Sequence, residues 1–138
     1  MEIARLLGLA WLLSAVAMAL AFVGARRAGK IGYVDVAWAG MMGACALLVA
    51  TLAHGTLLSR ALVGTLAAAW ALRLCWHLWR RVAHEAEDGR YVALRERWHD
   101  SALAFFAFFQ AQALVVALFT LPVAVVATRS SDPSPLGA

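Results

Sequence analysis

Charged residues are scarce in this sequence: they occupy 14% of the 138 positions, whereas hydrophobic residues occupy 64%. Soluble globular domains carry roughly a quarter charged residues, so this composition excludes an ordinary water-soluble domain and favours a membrane protein. The apolar runs are continuous and rich in Ala and Leu. A membrane β-barrel would instead show alternating hydrophobicity in segments of about ten residues, and the absence of that pattern excludes it.

Cysteine is also scarce, since the chain has only Cys45 and Cys75, and both fall inside apolar runs. Without a CxxC pair or a thiol in a polar loop, we interpret them as small hydrophobic residues rather than as a disulfide or a metal pair. The histidines show no metal-ligand spacing, the serines lack a His and acid arrangement, and no glycine-rich phosphate loop occurs. The sequence predicts no metal site.

Long apolar runs dominate the chain, and they cover positions 6–25, 33–54, 61–79 and 102–127. A membrane-spanning helix needs about 20 mostly apolar residues, and each run meets that requirement. The connections leave no room for a separate soluble domain, so we expect one all-α, polytopic membrane helical bundle over residues 1–138. The first run exceeds the roughly 7 to 15 apolar residues of a signal peptide, so we interpret it as a span.

Basic residues are distributed unevenly along these runs. The loops 26–32 and 80–100 hold eight Lys and Arg residues, whereas the opposite ends of the spans hold Arg5, Arg60 and Arg129. The positive-inside rule therefore predicts that both basic loops are cytoplasmic and that both termini of the chain lie outside. The net charge of +4 reflects this topology and anionic lipid, and it does not indicate nucleic-acid binding.

Two charged residues, Asp35 and Arg73, fall inside the second and third runs. Charged side chains are costly in hydrocarbon, so we expect both to face the bundle or a wet cavity, where antiparallel neighbouring helices would let them pair. Two interpretations stay open: an ion pair that only sets the register of the helices, or a polar pocket that opens to the cytoplasm.

Helical spacing predicts two stripes beside these charges. The stripe on the third helix has i, i+3, i+4, i+7 spacing and comprises Arg73, Trp76, His77 and Arg80. The stripe on the second helix comprises Asp35, Trp38 and Met42, beside the small residues Ala37, Gly40 and Ala44. Small residues allow close helix approach, so we expect the two stripes to meet. Anchoring of Trp76 and Trp79 at the membrane interface is the alternative.

The fourth run contains three residues that are unusual in a span. Gln110 and Gln112 project about 200° apart on a helix, so at most one of them faces a site, and an interhelical hydrogen bond is the alternative. Pro122 lacks a backbone donor, so we expect the helix to bend or end near Leu121.

The loop 80–100 carries five arginines against five acidic residues. Within it, Asp88 is suited to cap a helix, and Tyr91, Leu94 and Trp98 fall on one face. These features predict a short cytoplasmic amphipathic helix that lies on the membrane with its aromatic residues in the interface. The alternative is that its arginines bind phosphate at the mouth of a pocket formed by Asp35 and Arg73.

Several runs together resemble a bacterial membrane family that is described as steroid 5α-reductase-like. They are YVDVAWAG (33–40), RLCWHLWRR (73–81), EDGRYVALRERW (87–98) and FFAFFQAQALVVALFTLPV (105–123). The resemblance implies a multi-pass protein of the bacterial inner membrane, related to reductases that use NADPH to saturate a conjugated double bond of a lipid-like substrate. The superfamily's Arg-His-Pro loop has no counterpart here, so we expect the N-terminal part of a longer protein.

The resemblance directs attention to five residues. Asp35 and Tyr91 are the catalytic candidates near a substrate carbonyl, and Arg73, Arg90 and Arg95 are the candidates for binding NADPH phosphate. Two alternatives remain. One is a non-enzymatic membrane scaffold or lipid-binding protein, and the other is a methyltransferase of the related isoprenylcysteine methyltransferase branch. Membrane lipid and a lipid-like small molecule are the expected partners, and the sequence assigns no oligomeric state.

Overall fold

The computed structural model describes residues 2–129, and every regular element in that part of the chain is an α-helix. The helices are α1 (Glu2–Ala28), α2 (Tyr33–Leu52), α3 (Leu57–His84), α4 (Gly89–Arg97), α5 (Ala102–Phe119) and α6 (Leu121–Ala127). Four segments are long and apolar enough to span a membrane, and the fourth combines α5 and α6. The predicted all-α membrane bundle with four spans and a short additional helix is confirmed.

The helix ends differ from the ends of the apolar runs. Both α1 and α3 extend past the predicted spans into charged sequence, whereas α2 ends at Leu52, two residues before the predicted end. Arginine is a good helix former, so polar ends do not stop a helix. Side-chain caps set other boundaries: the Thr56 hydroxyl accepts from Ser59 N at the start of α3, and the Ser101 hydroxyl accepts from Ala104 N at the start of α5.

Pro122 interrupts the fourth span as predicted. The helix α5 ends at Phe119, and α6 begins at Leu121 with the proline in its first turn. Thr120, between the two helices, is buried, and its hydroxyl donates to Val116 O at 2.8 Å. Because a proline lacks a backbone N–H, the break falls where the missing donor is best tolerated.

The core lies between α1, α2 and α5, where Met18, Val34, Phe105 and Phe109 are fully buried. Large apolar side chains cover the outside of the bundle, and those at least 70% exposed are Leu20, Leu57, Leu72 and Leu103. A protein surrounded by water rarely exposes so much apolar surface, so this surface is suited to lipid.

Small residues bring α2 and α3 together, and the close contacts involve Gly43 and Ala50 of α2, which were not among the small residues singled out in the sequence. A Cβ atom added to Gly43 would lie 2.5 Å from Ala71 Cβ, and one added to Gly64 would lie 2.9 Å from Ala50 Cβ. These contacts require glycine because no other residue lets two helix backbones approach so closely. In the rest of the described chain, α3 packs against no helix except α6.

The expectation that the two polar stripes meet between α2 and α3 is wrong. Trp38 and Met42 turn toward the core, and the Trp38 ring meets the edge of Phe119 with centroids 5.9 Å apart. The small residues that form the α2–α3 contact lie on another face of α2. The face of α2 that contacts α3 is therefore the face that carries the small residues, and the face that carries Trp38 and Met42 points to the core.

Other predictions for the spans hold. Gln110 Nε2 donates to Ala15 O at 3.0 Å, which confirms an interhelical hydrogen bond between α5 and α1. Cys45 is buried, Cys75 is half-buried, and both are free thiols. The cysteines are therefore packing residues and not a disulfide.

Candidate functional site

The loops 26–32 and 80–100 meet at one end of the bundle. Arg26 Nη1 contacts Asp100 Oδ1 at 2.8 Å, and Lys30 Nζ donates to Val82 O at 2.7 Å and to Glu85 O at 2.9 Å. Arg95 Nη2 crosses the same gap to Gly29 O at 2.8 Å. The prediction that these loops share one end is confirmed by these contacts.

The helix α4 begins where its sequence predicts. The Asp88 carboxylate caps it by accepting from Arg90 N at 2.8 Å. That backbone hydrogen bond, followed by the bond from the Arg90 side chain, lowers the pKa of Asp88. The cap therefore remains ionised and functional at neutral pH.

The aromatic face of α4 packs against protein, so the prediction that Tyr91, Leu94 and Trp98 face the lipid of the membrane interface is wrong. Tyr91 is 3% exposed, and its ring packs edge-on against Phe108. The Trp98 ring lies 5.2 Å from the Phe105 ring, centroid to centroid, and Leu94 packs against the same core. An apolar helix face can be buried against lipid or protein, and here the start of α5 supplies the aromatic surface that covers it.

Asp35 and Tyr91 form a hydrogen-bonded pair between α2 and α4, which we call the Asp35–Tyr91 pair. Tyr91 Oη donates to Asp35 Oδ1 at 2.8 Å, and Arg90 Nη2 lies 3.4 Å from Asp35 Oδ2. The Arg90 guanidinium also contacts Asp88 and lies 5.0 Å from the centre of the Tyr91 ring. Both oxygens of the Asp35 carboxylate are thus engaged by α4.

The protonation states at this pair are set by its surroundings. Burial, and then the hydrogen bond to Asp35, raise the pKa of Tyr91 above its ordinary value. The hydrogen bond to Asp88 raises the pKa of Arg90. Tyr91 is therefore a protonated donor and Arg90 a cation throughout the physiological range. The Tyr91 hydroxyl can donate its hydrogen bond to a carboxylate, as it does here, or to a carbonyl oxygen in the same position.

A small cavity of about 30 Å³ lies beside Asp35. Its polar lining comes from Lys30, Arg81, Glu87 and Asp88, and its apolar lining includes Val82. A cavity of this size has room for one or two water molecules and not for a lipid-like substrate. A larger ligand would reach the Asp35–Tyr91 pair only if a neighbouring side chain moved, and Arg90, at 66% exposed, is the least confined of them.

Arg95 lies near this pair but has other partners. Its Nη2 atom contacts Glu87 Oε2 at 3.1 Å as well as the Gly29 carbonyl. Glu87 also accepts from Gly32 N at 3.1 Å, and its side chain is 10% exposed. Glu87 therefore ties α4 to the turn before α2. This role could not be predicted from the sequence, because Glu87 is one of ten charged residues in the loop 80–100 and nothing in its local pattern distinguishes it.

Arg73 is not the partner of Asp35, and that expectation is wrong. It lies on the side of α3 that faces away from α2, and it is exposed along with Trp76, His77 and Arg80. These four residues line an open groove of about 530 Å³, and we call them the α3 surface. Arg73 is two positions from Ala71, the residue that meets Gly43, so the two side chains project about 200° apart on α3.

The three arginines proposed for the cofactor do not converge. Arg90 and Arg95 are engaged by carboxylates, and Arg73 belongs to the α3 surface. A pyrophosphate needs several donors directed at one space, so residues 2–129 do not by themselves fit NADPH. Within the same residues, no three His, Cys, Asp or Glu side chains lie close enough to hold a metal ion.

A comparison with protein families matches residues 21–137 to the family described as Protein of unknown function (DUF1295). The match covers most of the chain, and the chain therefore belongs to this family. Neither a curated protein nor a solved structure matches it. The matched region includes the Asp35–Tyr91 pair, the two basic loops and the α3 surface.

Proposed function

We propose that this member of the family forms the substrate-binding part of a membrane reductase, with the Asp35–Tyr91 pair at the polar end of the site. One observation carries the proposal: a buried tyrosine on the short helix α4 donates its hydroxyl to a carboxylate at the start of the membrane helix α2. The resemblance to steroid 5α-reductase-like proteins supplies the reaction, which is NADPH-dependent saturation of a double bond conjugated to a carbonyl in a lipid-like substrate.

The chemistry requires a donor at the carbonyl end of such a substrate. Reduction of a conjugated double bond places negative charge on the carbonyl oxygen, and a fixed hydrogen-bond donor stabilises that charge. Tyr91 supplies the donor when the carbonyl oxygen replaces Asp35 as its acceptor, and Asp35 then keeps its contact with Arg90. We assign this chain only the carbonyl end, with Arg90 as its one candidate contact to cofactor phosphate.

The proposal includes a location. We place the protein in the bacterial inner membrane with the loops 26–32 and 80–100 in the cytoplasm, because basic loops favour that side. Enzyme fusions inserted at Gly29 and after Ala127 test this arrangement. A reporter active only in the cytoplasm should be active at Gly29 and inactive after Ala127, and the reverse pattern would overturn it.

The decisive experiment compares two tyrosine variants of the full-length protein in native membranes. Tyr91→Phe removes the buried hydroxyl, and Tyr33→Phe is the matched control because the Tyr33 hydroxyl has no hydrogen bond within residues 2–129. With a steroidal enone and NADPH as probes, Tyr91→Phe should reduce turnover by about 100-fold, as loss of one oxyanion donor does elsewhere. Tyr33→Phe should leave turnover unchanged. Equal activity of the two variants, or no NADPH-dependent reduction by the wild type, would overturn the proposal.

A second candidate function is that of a non-enzymatic membrane scaffold or lipid-binding protein. It is favoured by the small cavity and by the mutual pairing of Asp35, Tyr91 and Arg90, which needs no ligand. On this alternative the pair only clamps α4 to α2. The double variant Asp35→Asn with Tyr91→Phe would then lower stability without changing the binding of any enone or cofactor.

The methyltransferase alternative differs in its cofactor, and no observation on the described residues favours it. Binding assays with S-adenosylmethionine and NADPH on the full-length protein separate the two. Saturable binding of S-adenosylmethionine without binding of NADPH would replace the reductase proposal.

A further inference from the structure

The α3 surface is an exposed stripe that carries positive charge. Arg73, Trp76, His77 and Arg80 follow one another along a single stripe and are all exposed. Helix α3 packs only against α2 and α6 among the described helices, so this stripe is not covered by another helix of that part of the chain. The stripe therefore lies on the outside of the bundle that the described helices form.

The positive charge of the α3 surface is unbalanced within residues 2–129. No salt bridge involves Arg73 or Arg80 there. The one acidic residue that lines the groove, Glu85, contacts Arg81 at 3.7 Å. The two exposed guanidinium groups therefore have no anionic partner among residues 2–129.

Arg73 lies at a depth where an anionic partner matters. It is seven residues before Arg80, which is roughly 10 Å along a helix that is long and apolar enough to span a membrane. A guanidinium group is among the most costly groups to place in hydrocarbon. Its flexible stem allows the group to reach the headgroup region, where a phosphate can accept its hydrogen bonds.

Aromatic residues indicate where the groove lies relative to the membrane. The Trp76 and Trp79 rings are stacked with centroids 5.8 Å apart, and they are 61% and 45% exposed. Exposed tryptophans concentrate at the level of lipid headgroups. A lipid phosphate lies at this level, whereas a free phosphate ion stays in water.

We propose that the α3 surface binds the headgroup phosphate of an anionic phospholipid. Arg73 and Arg80 donate to the phosphate oxygens, and Trp76 packs against the adjoining glycerol and upper acyl region. This site is separate from the Asp35–Tyr91 pair and does not depend on the reductase proposal. Planar guanidinium groups suit phosphate because each can present two parallel donors.

The test measures lipid retention by the purified full-length protein. The protein is mixed in detergent with phosphatidylglycerol or phosphatidylcholine, and bound lipid is counted by native mass spectrometry. The double variant Arg73→Gln with Arg80→Gln should weaken phosphatidylglycerol binding by about tenfold or more, while phosphatidylcholine binding stays weak. The double variant Arg73→Lys with Arg80→Lys, which keeps the charge, should retain an intermediate affinity.

The matched control is Arg27→Gln with Arg97→Gln. These arginines are exposed at the same end of the bundle, and their side chains form no hydrogen bond or salt bridge within residues 2–129. Equal losses in the control and the test variant would overturn the proposal, since net charge alone would then explain binding. A wild-type dimer that the test variant dissociates would also overturn it, because a second copy would be the occupant. If the double variant does not fold, the single variants Arg73→Gln and Arg80→Gln are compared with Arg27→Gln. A larger loss of phosphatidylglycerol binding than in Arg27→Gln supports the proposal, and equal losses overturn it.

Discussion

The Asp35–Tyr91 pair and the α3 surface are two polar regions near the same end of the bundle. They differ in whether their charged side chains are paired with other residues of the protein. At the pair, Asp35 is engaged by Tyr91 and Arg90 from another helix, and the tyrosine is buried. On the α3 surface, Arg73 and Arg80 are exposed without an acidic partner in residues 2–129. The charge of Asp35 is thus paired within the protein, whereas no residue in the described part of the chain neutralises the α3 surface.

The largest expected effect on stability is that of Asp35→Ala, which removes the carboxylate of the Asp35–Tyr91 pair. It leaves the Tyr91 hydroxyl, in a residue that is 3% exposed, without its acceptor. An unsatisfied buried donor costs about 1 to 3 kcal/mol, and we expect a loss of about 2 to 3 kcal/mol in the free energy of unfolding. Chemical unfolding in detergent measures it, with Asp100→Asn as an exposed acidic control. A loss below about 0.5 kcal/mol would show that the pair does not hold α4.

Glu87→Gln should have the next largest effect, because it weakens the second tie between α4 and the turn before α2. The amide oxygen can still accept from Gly32 N, but the charge that meets Arg95 is lost. We expect about 1 to 2 kcal/mol of destabilisation. This is less than the roughly 1.5 to 3 kcal/mol of a hydrogen bond to a charged group, because the amide oxygen still accepts from both partners. Hydrogen exchange should report faster opening of α4 and of residues 29–32 together. The exposed Glu96→Gln on the same helix is the control, and equal changes in the two variants would contradict this role.

A smaller and local effect is expected from pH at the cap of α4. The pKa of Asp88 is lowered by its bonds to Arg90, so the cap stabilises the folded state above the ordinary aspartate pKa, 3.8. That contribution is lost as pH falls below this value through the lower folded pKa. Amide protection in α4 should therefore stay constant down to about pH 4 and then fall.

The variant Asp88→Asn sharpens this prediction, because asparagine also caps helices but does not titrate. Protection of α4 in the variant should change less at acidic pH than in the wild type. If both proteins lose protection over the same pH range, another acidic group is responsible.

The smallest expected effect is that of Arg73→Gln on stability in lipid-free detergent. An exposed side chain without a protein partner contributes within about 0.5 kcal/mol of zero to the free energy of unfolding. The same unfolding assay as for Asp35→Ala measures it. A loss above about 1 kcal/mol would mean that Arg73 has a partner within the protein, and the contrast between the two regions would fail.

Part of the candidate site could be predicted from local sequence. Asp88 was identified as a cap because capping depends on a residue and the N–H groups that follow it within a turn. The shared location of the basic loops followed from charge counts and the alternation of spans. Tyr91 was identified as a candidate, but its burial was not, since its aromatic stripe suits lipid and protein equally.

The partner of Asp35 could not be predicted in the same way. Sequence shows how far a residue lies along a span, and by that measure Arg73 was a suitable partner. It does not show how the helix is rotated. The Gly43–Ala71 contact directs Arg73 outward, and the docking of α4 brings Tyr91 and Arg90 to Asp35 instead.

The sequence by itself determined the helical class, the spans, the break at Pro122 and the cap at Asp88. Each of these depends on chemistry within a few residues: hydropathy, the missing N–H of proline, or a carboxylate at the start of a helix. Only the tertiary structure decided that α4 packs inward on Phe105 and Phe108, and that the two polar regions are separate. Those outcomes depend on which small and aromatic surfaces meet, and residues distant in sequence set that packing.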